Sequence, residues 1–374
     1  MKTLLVGVIL NHQKFSCLAS LEETKSLCIA ENLELGQVII QKRSVLDARS
    51  LVGLGKLKEI AEIVQREKYE LVVFDQPLKP AQWKTVTSMI PVKVLDKYML
   101  ILDIFARRAQ TAEGKLKVEL AQLEYNLPRL TELDSGLSRL VGGIGGRGPG
   151  ETKLEMSRRR SRERIKLLQT RLAEIEKRRE LATKLHKKNR IPLVSLVGYT
   201  NVGKSALFNA LTAKEDAFVQ DKLFATLDPL RRRLNLSDGS SGRLDVVLAD
   251  TVGFISDLPK QLYDAFKATI KEVAESQLIL LVVDASDNRS LEKYHSVLRI
   301  LSEIGANPNK FLVILNKIDI ANEKVVHQFI NIPHLEVSAL KKINIKLLKR
   351  EIFQRLIQFR AIETHTSVTV DKGF

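Results

Sequence analysis

The stretch Gly198-Tyr199-Thr200-Asn201-Val202-Gly203-Lys204-Ser205 places four residues between a glycine and Gly-Lys-Ser, the spacing of a phosphate-binding loop. Leu193 to Val197 before it is an apolar run of strand length, and Ala206 to Leu211 after it has helical spacing. Strand, glycine turn and helix start together aim a row of backbone N–H groups at a phosphate chain. Lys204 is the candidate to reach the β- and γ-phosphates, and the Ser205 hydroxyl the candidate to hold Mg²⁺.

Three further stretches follow predicted strands in the same order along the chain. Asp250-Thr251-Val252-Gly253 succeeds the apolar run Leu244 to Ala249. A carboxylate at that strand end is placed for Mg²⁺, and Gly253 lets a backbone N–H approach the γ-phosphate. Asn316-Lys317-Ile318-Asp319 succeeds the run Phe311 to Leu315. The Asp319 carboxylate can accept from guanine N1 and N2, a donor pair that adenine lacks, so GTP is expected over ATP. Ser338-Ala339-Leu340 follows a further strand, where the Ala339 N–H could meet guanine O6. Between the loop and Asp250, Phe224-Ala225-Thr226-Leu227-Asp228 reads as a first switch whose Thr226 binds Mg²⁺ only when a γ-phosphate draws it in. The pattern is that of a GTPase. Its expected catalytic residues are Lys204, Thr226 and Gly253, and its expected metal ligands Ser205, Thr226 and Asp250.

Composition narrows the partners. The 374 residues carry 60 Lys and Arg against 44 Asp and Glu, a net charge of +16, which favours a polyanion such as nucleic acid or an acidic membrane surface. Of this, residues 151–190 hold 15 Lys and Arg against 6 Glu, a local +9. A solvated helix face usually mixes the signs, so the imbalance, with Arg158, Arg159, Arg160 and Arg162 in one turn, points to phosphate contacts. The two cysteines, Cys17 and Cys28, are too few for a disulfide framework, and a reducing compartment is expected. No apolar run approaches the ~20 residues of a membrane span, and Met1 to Leu10 reads as a first strand rather than a signal peptide.

Four segments are expected. Residues 1–106 alternate strand-like runs (Leu4 to Leu10, Val38 to Gln41, Leu71 to Phe74) with a helical pattern over Leu57 to Val64, an α/β lobe with a small parallel sheet. Gly53-Leu54-Gly55-Lys56-Leu57 is either a second anion-binding turn or, more simply, a loop leading into a helix cap. Residues 107–190 carry one helical seam, Leu116, Leu120, Leu123, Leu127 and Leu130, and a second, Ile165, Leu168, Leu172 and Ile175. They predict a long antiparallel helical hairpin, with Pro128 kinking or shortening its first helix. Its tip is Gly142 to Gly150, six glycines in nine positions. The Gly143-x-Gly145-x-x-Gly148 match within it is not a dinucleotide fingerprint, because no strand precedes it. Residues 191–360 return to αβ alternation, a doubly wound sheet with the phosphate loop on its first βα turn. Residues 361–374 show no pattern and read as a short mobile tail.

The chain resembles the HflX GTPases over nearly its whole length. The marks are Asp103 to Ala109, Glu113 to Leu123, Arg147-Gly148-Pro149-Gly150-Glu151-Thr152-Lys153-Leu154-Glu155, and Phe224 to Pro229. The resemblance implies a cytoplasmic GTPase that binds the large ribosomal subunit and splits or rescues stalled ribosomes under stress. It implies further that the basic hairpin docks on ribosomal RNA, with the glycine tip towards the peptidyl-transferase region. Family members are also credited with ATP hydrolysis involving the N-terminal part, for which no second motif stands out. The chain departs from the family pattern at Ala206, at Leu230 and Arg231, and at Lys341-Lys342-Ile343-Asn344, and the extended C-terminal domain of many members is not expected in it.

The expected protein is thus a monomeric GTPase turning GTP into GDP and phosphate, with its nucleotide state gating ribosome attachment. The rival is an RNA-binding scaffold that is gated by nucleotide with little hydrolysis; an RNA-modifying enzyme is disfavoured by the lack of a Cys/His cluster or nucleophile constellation. Phe254 stands where many GTPases place a water-orienting glutamine, so slow intrinsic turnover is expected. Asn201 resembles the loop residue of GTPases in which K⁺ supplies charge at the phosphates.

Overall fold

In the computed structural model, residues 1–138, 153–187, 191–212, 230–237, 242–251, 253 and 260–370 are described. They form two compact units, Met1–Ile175 with Leu258–Ala265, and Glu176–Asp257 with Phe266–Phe374.

The first unit is built on β1 (Lys2–Leu10), whose residues 3–9 are all buried. Burial on both faces is what a near-continuous apolar run implies for a central parallel strand. After it come α1 (Lys14–Ala30), β2 (Glu34–Arg43), α2 (Leu54–Arg66), β3 (Leu71–Phe74), α3 (Pro80–Met89), β4 (Lys93–Asp96) and α4 (Lys97–Arg108). The strands pair in parallel in the order β2-β1-β3-β4, the small parallel sheet expected. Leu57, Ile60, Ile63 and Val64 of α2 are buried and pack with Leu4, Val6 and Val72 of the sheet in one core. At the expected turn before it, Gly53 is the N-cap of α2.

Two long helices follow, α5 (Ala112–Ser138) and α6 (Lys153–Lys187). Pro128 does not shorten α5, which continues ten residues beyond it. In the turn that the proline deprives of a donor, Arg129 Nη1 donates to the Tyr125 carbonyl at 2.6 Å. The buried face of α5 carries Val118, Ala121, Tyr125 and Arg129, and α5 packs beside α3 and α4. Of its leucine seam only Leu120 is buried; Leu116, Leu123, Leu127 and Leu130 are half-buried. On α6, Leu168 is fully buried and Ile165, Leu172 and Ile175 half-buried, the face expected. Arg164 pairs with Glu119 at 2.7 Å and Gln169 Nε2 donates to Glu124 at 3.1 Å. Of the expected segment 107–190, the residues up to Ile175 group by contacts with the N-terminal lobe. The glycine tip, Gly142 to Gly150, lies outside the described residues.

The second unit contains β5 (Leu193–Gly198), α7 (Lys204–Thr212), β6 (Leu230–Ser237), β7 (Arg243–Asp250), α8 (Lys260–Ala274) from Phe266 onward, β8 (Leu278–Asp284), α9 (Ser290–Glu303), β9 (Phe311–Asn316), α10 (Glu323–Gln328), β10 (His334–Glu336) and α11 (Ile345–Val370). The strand order is β10-β9-β8-β5-β7-β6. All pairs are parallel except β6 with β7. β5 thus lies between β7 and β8, so successive crossovers leave it in opposite directions, which makes its C-terminal end a topological switch point. The doubly wound sheet expected is present, with β6 as an antiparallel edge. At the C-terminus, α11 runs on to Val370 through most of the segment 361–374 expected as a patternless tail. Its buried face, Ile345, Leu348, Ile352 and Leu356, anchors the helix, and extending a formed helix adds one hydrogen bond per residue without a new nucleus.

Candidate nucleotide-binding site

β5 ends at Gly198 and α7 begins at Lys204, so the phosphate-loop motif occupies the switch point. A Cβ on Gly198 would stand 2.3 Å from the Val282 carbonyl oxygen of β8, a backbone atom that cannot step aside. Gly203 adopts φ +88°, where L side chains are strained, and a Cβ there would meet Asn316 Nδ2 at 2.3 Å. Asn201 also has positive φ, +63°, a conformation that asparagine tolerates better than most residues. The loop's shape therefore requires its residue types.

Lys204 is buried, and its ammonium donates to the carbonyls of Gly198 at 3.1 Å and Tyr199 at 2.7 Å. Burial lowers its pKa to about 8, against the opposing pull of the Asp250 carboxylate. Ser205 Oγ donates to Asp250 Oδ2 at 2.8 Å, joining the start of α7 to the end of β7. Thr251 Oγ1 donates to the Leu196 carbonyl at 2.6 Å and so ties the strand end to β5. Gly253 lies against the loop: a Cβ there would be 2.9 Å from Thr200 Cγ2 and 3.0 Å from Lys204 Nζ.

The other expected stretches arrive at the same edge. Asn316, at the end of β9, donates from Nδ2 to the Val202 carbonyl at 2.8 Å and accepts at Oδ1 from the Ala339 N–H at 3.0 Å. One side chain thereby connects the phosphate loop with Ser338-Ala339-Leu340. Ser338 is buried, and its Oγ accepts from the Lys341 N–H at 3.0 Å. Lys317 sits at φ +65° and pairs with Asp284 Oδ2 at 2.7 Å. Ile318 is half-buried, whereas Asp319 and Leu340 are exposed. Val252, Phe254 and the switch residues Phe224, Ala225, Thr226, Leu227 and Asp228 lie outside the described residues.

Asp284 was not among the expected residues. It ends β8 as Asp250 ends β7 and Asn316 ends β9, so looking for a polar residue at each strand's C-terminal end would have found it. Lys293 on α9 was also missed. It pairs with Asp287 at 2.5 Å, and its ammonium lies 4.8 Å from the centroid of the Tyr199 ring. Its signal is tertiary, since α9 carries it to the loop from 94 positions away along the chain.

Known families cover most of the chain. The family described as GTP-binding GTPase N-terminal matches residues 18–106, GTP-binding GTPase Middle Region matches 108–185, and 50S ribosome-binding GTPase matches 193–317. The chain is 44% identical over 339 residues to GTPase HflX of Caldanaerobacter subterraneus subsp. tengcongensis, covering 90% of this chain and 77% of that relative. It is 46% identical over 303 residues to GTPase HflX of Escherichia coli, covering 81% and 70%. Among solved structures, the crystal structure of SsGBP in complex with GDP aligns over 96% of this chain and 99% of that one, with TM-score 0.54 and 28% identity. With a phosphate loop at the switch point of its sheet and relatives of this identity over most of its length, the chain belongs to the HflX family of P-loop GTPases.

Proposed function

We propose that this GTPase works in the cytoplasm on the large ribosomal subunit, contacting its RNA and splitting or rescuing stalled ribosomes under stress. GTP binding positions it for attachment, and hydrolysis to GDP and phosphate releases it. The observation that carries the nucleotide part is the double hydrogen bond of Asn316 to Val202 and Ala339, which holds the phosphate loop and the candidate base-reading loop in one frame. The ribosomal part rests on the matched family described as 50S ribosome-binding GTPase and on the +9 of residues 151–190.

In this reading Gly198 to Ser205 cradle the phosphates, Lys204 neutralises the β- and γ-oxygens, and Gly253 brings its N–H to the γ-phosphate. Asp319 reads guanine N1 and N2, and the Ala339 N–H reads O6. Ser205 Oγ and Asp250 Oδ2 form a hard-oxygen pair 2.8 Å apart at the helix start, a donor set that suits Mg²⁺, with Thr226 as the third candidate ligand. Mg²⁺ held there supplies charge to the phosphate oxygens. Asn201 is the candidate contact for K⁺. Phe254 offers no hydrogen bond to an attacking water, so intrinsic turnover is slow and the ribosome raises it.

Phosphate release under multiple turnover, with and without large subunits and in K⁺ against Na⁺, tests this reading. Turnover stimulated by subunits is expected, with more protein pelleting with them in a non-hydrolysable GTP analogue than in GDP. Binding that depends on nucleotide while phosphate release stays negligible would make the chain a gated scaffold. Equal rates in K⁺ and Na⁺ would remove the cation role of Asn201.

A further inference from the structure

Residues 337–350 contain five cations, Lys341, Lys342, Lys346, Lys349 and Arg350, and no Asp or Glu. Lys341, Lys342, Lys346 and Arg350 are exposed. Several other cations in this unit meet acids: Arg231 pairs with Glu272, Arg233 with Asp245, Lys293 with Asp287 and Arg355 with Glu351. Lys341, Lys346 and Arg350 make no such pair among the described residues.

The fold gathers these charges on one face. Ile345, Leu348, Ile352 and Leu356 of α11 are buried, which turns Lys346 and Arg350, four residues apart, outward together. Just before the helix, the chain makes a tight turn closed by paired backbone hydrogen bonds between Ser338 and Ile343. Lys342 and Asn344 both take φ +56° in this turn, and Asn344 Nδ2 ties it to the Glu336 carbonyl at 2.9 Å. Lys341 lies in that turn, just before α11 begins at Ile345. A cation in the first turn of a helix opposes the helix dipole, and α11 has no acid there. The charges do not serve the helix's own stability.

We propose that this face, Lys341, Lys346 and Arg350 with Lys342 beside them, binds the phosphodiester backbone of RNA, as a second contact separate from the arginines of α6. RNA is preferred to a lipid surface because the matched family is described as 50S ribosome-binding GTPase. Ile345, Leu348, Ile352 and Leu356 of α11 are committed to the core, while Leu340, Ile343 and Leu347 are exposed among the cations, so vesicles are included in the test. The face begins one residue after Leu340, and Ala339 is hydrogen-bonded to Asn316, so an RNA held here touches the same loop that reads the base. The identification of RNA as the polyanion rests on the ribosomal reading above, so the test includes a probe that does not need it.

The full-length triple variant Lys341→Gln, Lys346→Gln, Arg350→Gln is compared with the parent on intact large subunits, on protein-free large-subunit RNA and on vesicles of anionic phospholipid. Expected on both RNA probes is about tenfold weaker binding at physiological salt, with the slope of log affinity against log salt lower by about two. Basal phosphate release and thermal stability should match the parent. Unchanged affinity and slope on protein-free RNA would overturn the proposal, as would a loss confined to vesicles. If the parent fails to bind subunits, the ribosomal reading falls, and the protein-free RNA arm still decides this one.

Discussion

Asn316 Nδ2 donates to the Val202 carbonyl at 2.8 Å, across 114 positions of sequence, while Oδ1 of the same amide receives the Ala339 N–H. Both partners are backbone groups in a buried setting, and the amide side chain donates at one end and accepts at the other. Replacing Asn316 by Ala leaves two buried groups unpaired, at about 1–3 kcal/mol each. Urea unfolding of Asn316→Ala should show that loss, and affinity for GTP should fall with it. Asn316→Asp should restore the Ala339 contact alone and recover only part. A variant as stable and as tight-binding as the parent would show that this bridge does not organise the site.

Lys204 titrates near 8 rather than 10.5 because burial penalises its ammonium. Between these values the unfolded chain binds a proton that the folded chain does not, so stability rises as pH climbs from about 8 towards 10.5. The full shift corresponds to up to about 3 kcal/mol. Unfolding curves measured from pH 7 to 10 should contain this rise for the parent and lack it for Lys204→Met. A triphosphate beside Lys204 favours the ammonium, so GTP binding at pH 9 should take up a proton. Calorimetry in buffers of different ionisation enthalpy reads that uptake directly.

Asp319 is exposed at the end of the Asn316-Lys317-Ile318-Asp319 stretch, open to a base. In Asp319→Asn the acceptor becomes an amide that can donate to O2 of xanthine. GTP affinity should fall by about two orders of magnitude, the cost of losing a charged hydrogen-bond pair of about 3 kcal/mol, and xanthosine triphosphate should bind in its place. Retained GTP affinity would refute the assignment of Asp319 to the base.

Arg129 and Asp96 form a buried ion pair at 2.8 Å that fastens α5 to the N-terminal lobe. Asp96 also accepts from the Leu78 and Met99 N–H groups and from the Tyr125 hydroxyl. Arg129→Met removes one charge and strands the other, a loss of about 3–5 kcal/mol. The double variant Arg129→Met, Asp96→Asn should recover part of it, because no buried charge remains. A thermal melt of the single variant within about a degree of the parent, set against the several degrees per kcal/mol typical of a domain, would sink this account of the pair.

Arg159, Arg160 and Arg162 are exposed on α6, with Arg158 half-buried beside them. Changing all four to Gln should reduce the salt dependence of binding to large subunits by about three units of slope, leaving GTP affinity unaltered. An unchanged slope would make α6 a solvated arm.

The chemistry of this protein was readable from local sequence wherever one short stretch had to supply a complete geometry. Gly198 to Ser205 is such a stretch, since its glycines answer to backbone approach and positive φ. The strands β1, β5 and β9 were readable too, because burial on both faces requires unbroken apolar runs. Other features depended on which surfaces meet. The leucines of α5 have the spacing of a helical seam, yet its buried face is the one carrying Val118, Tyr125 and Arg129, against the lobe. Helical periodicity states that a face is apolar without naming its partner. The sequence of residues 361–370 has no amphipathic pattern, but the packed first half of α11 carries the helix through it. The pairings of Asn316 with Val202, Lys317 with Asp284 and Lys293 with Asp287 beside Tyr199 likewise arise only once the strands are ordered. A hydrogen bond or ion pair acts over a few ångströms, and only the tertiary fold brings the two ends that close.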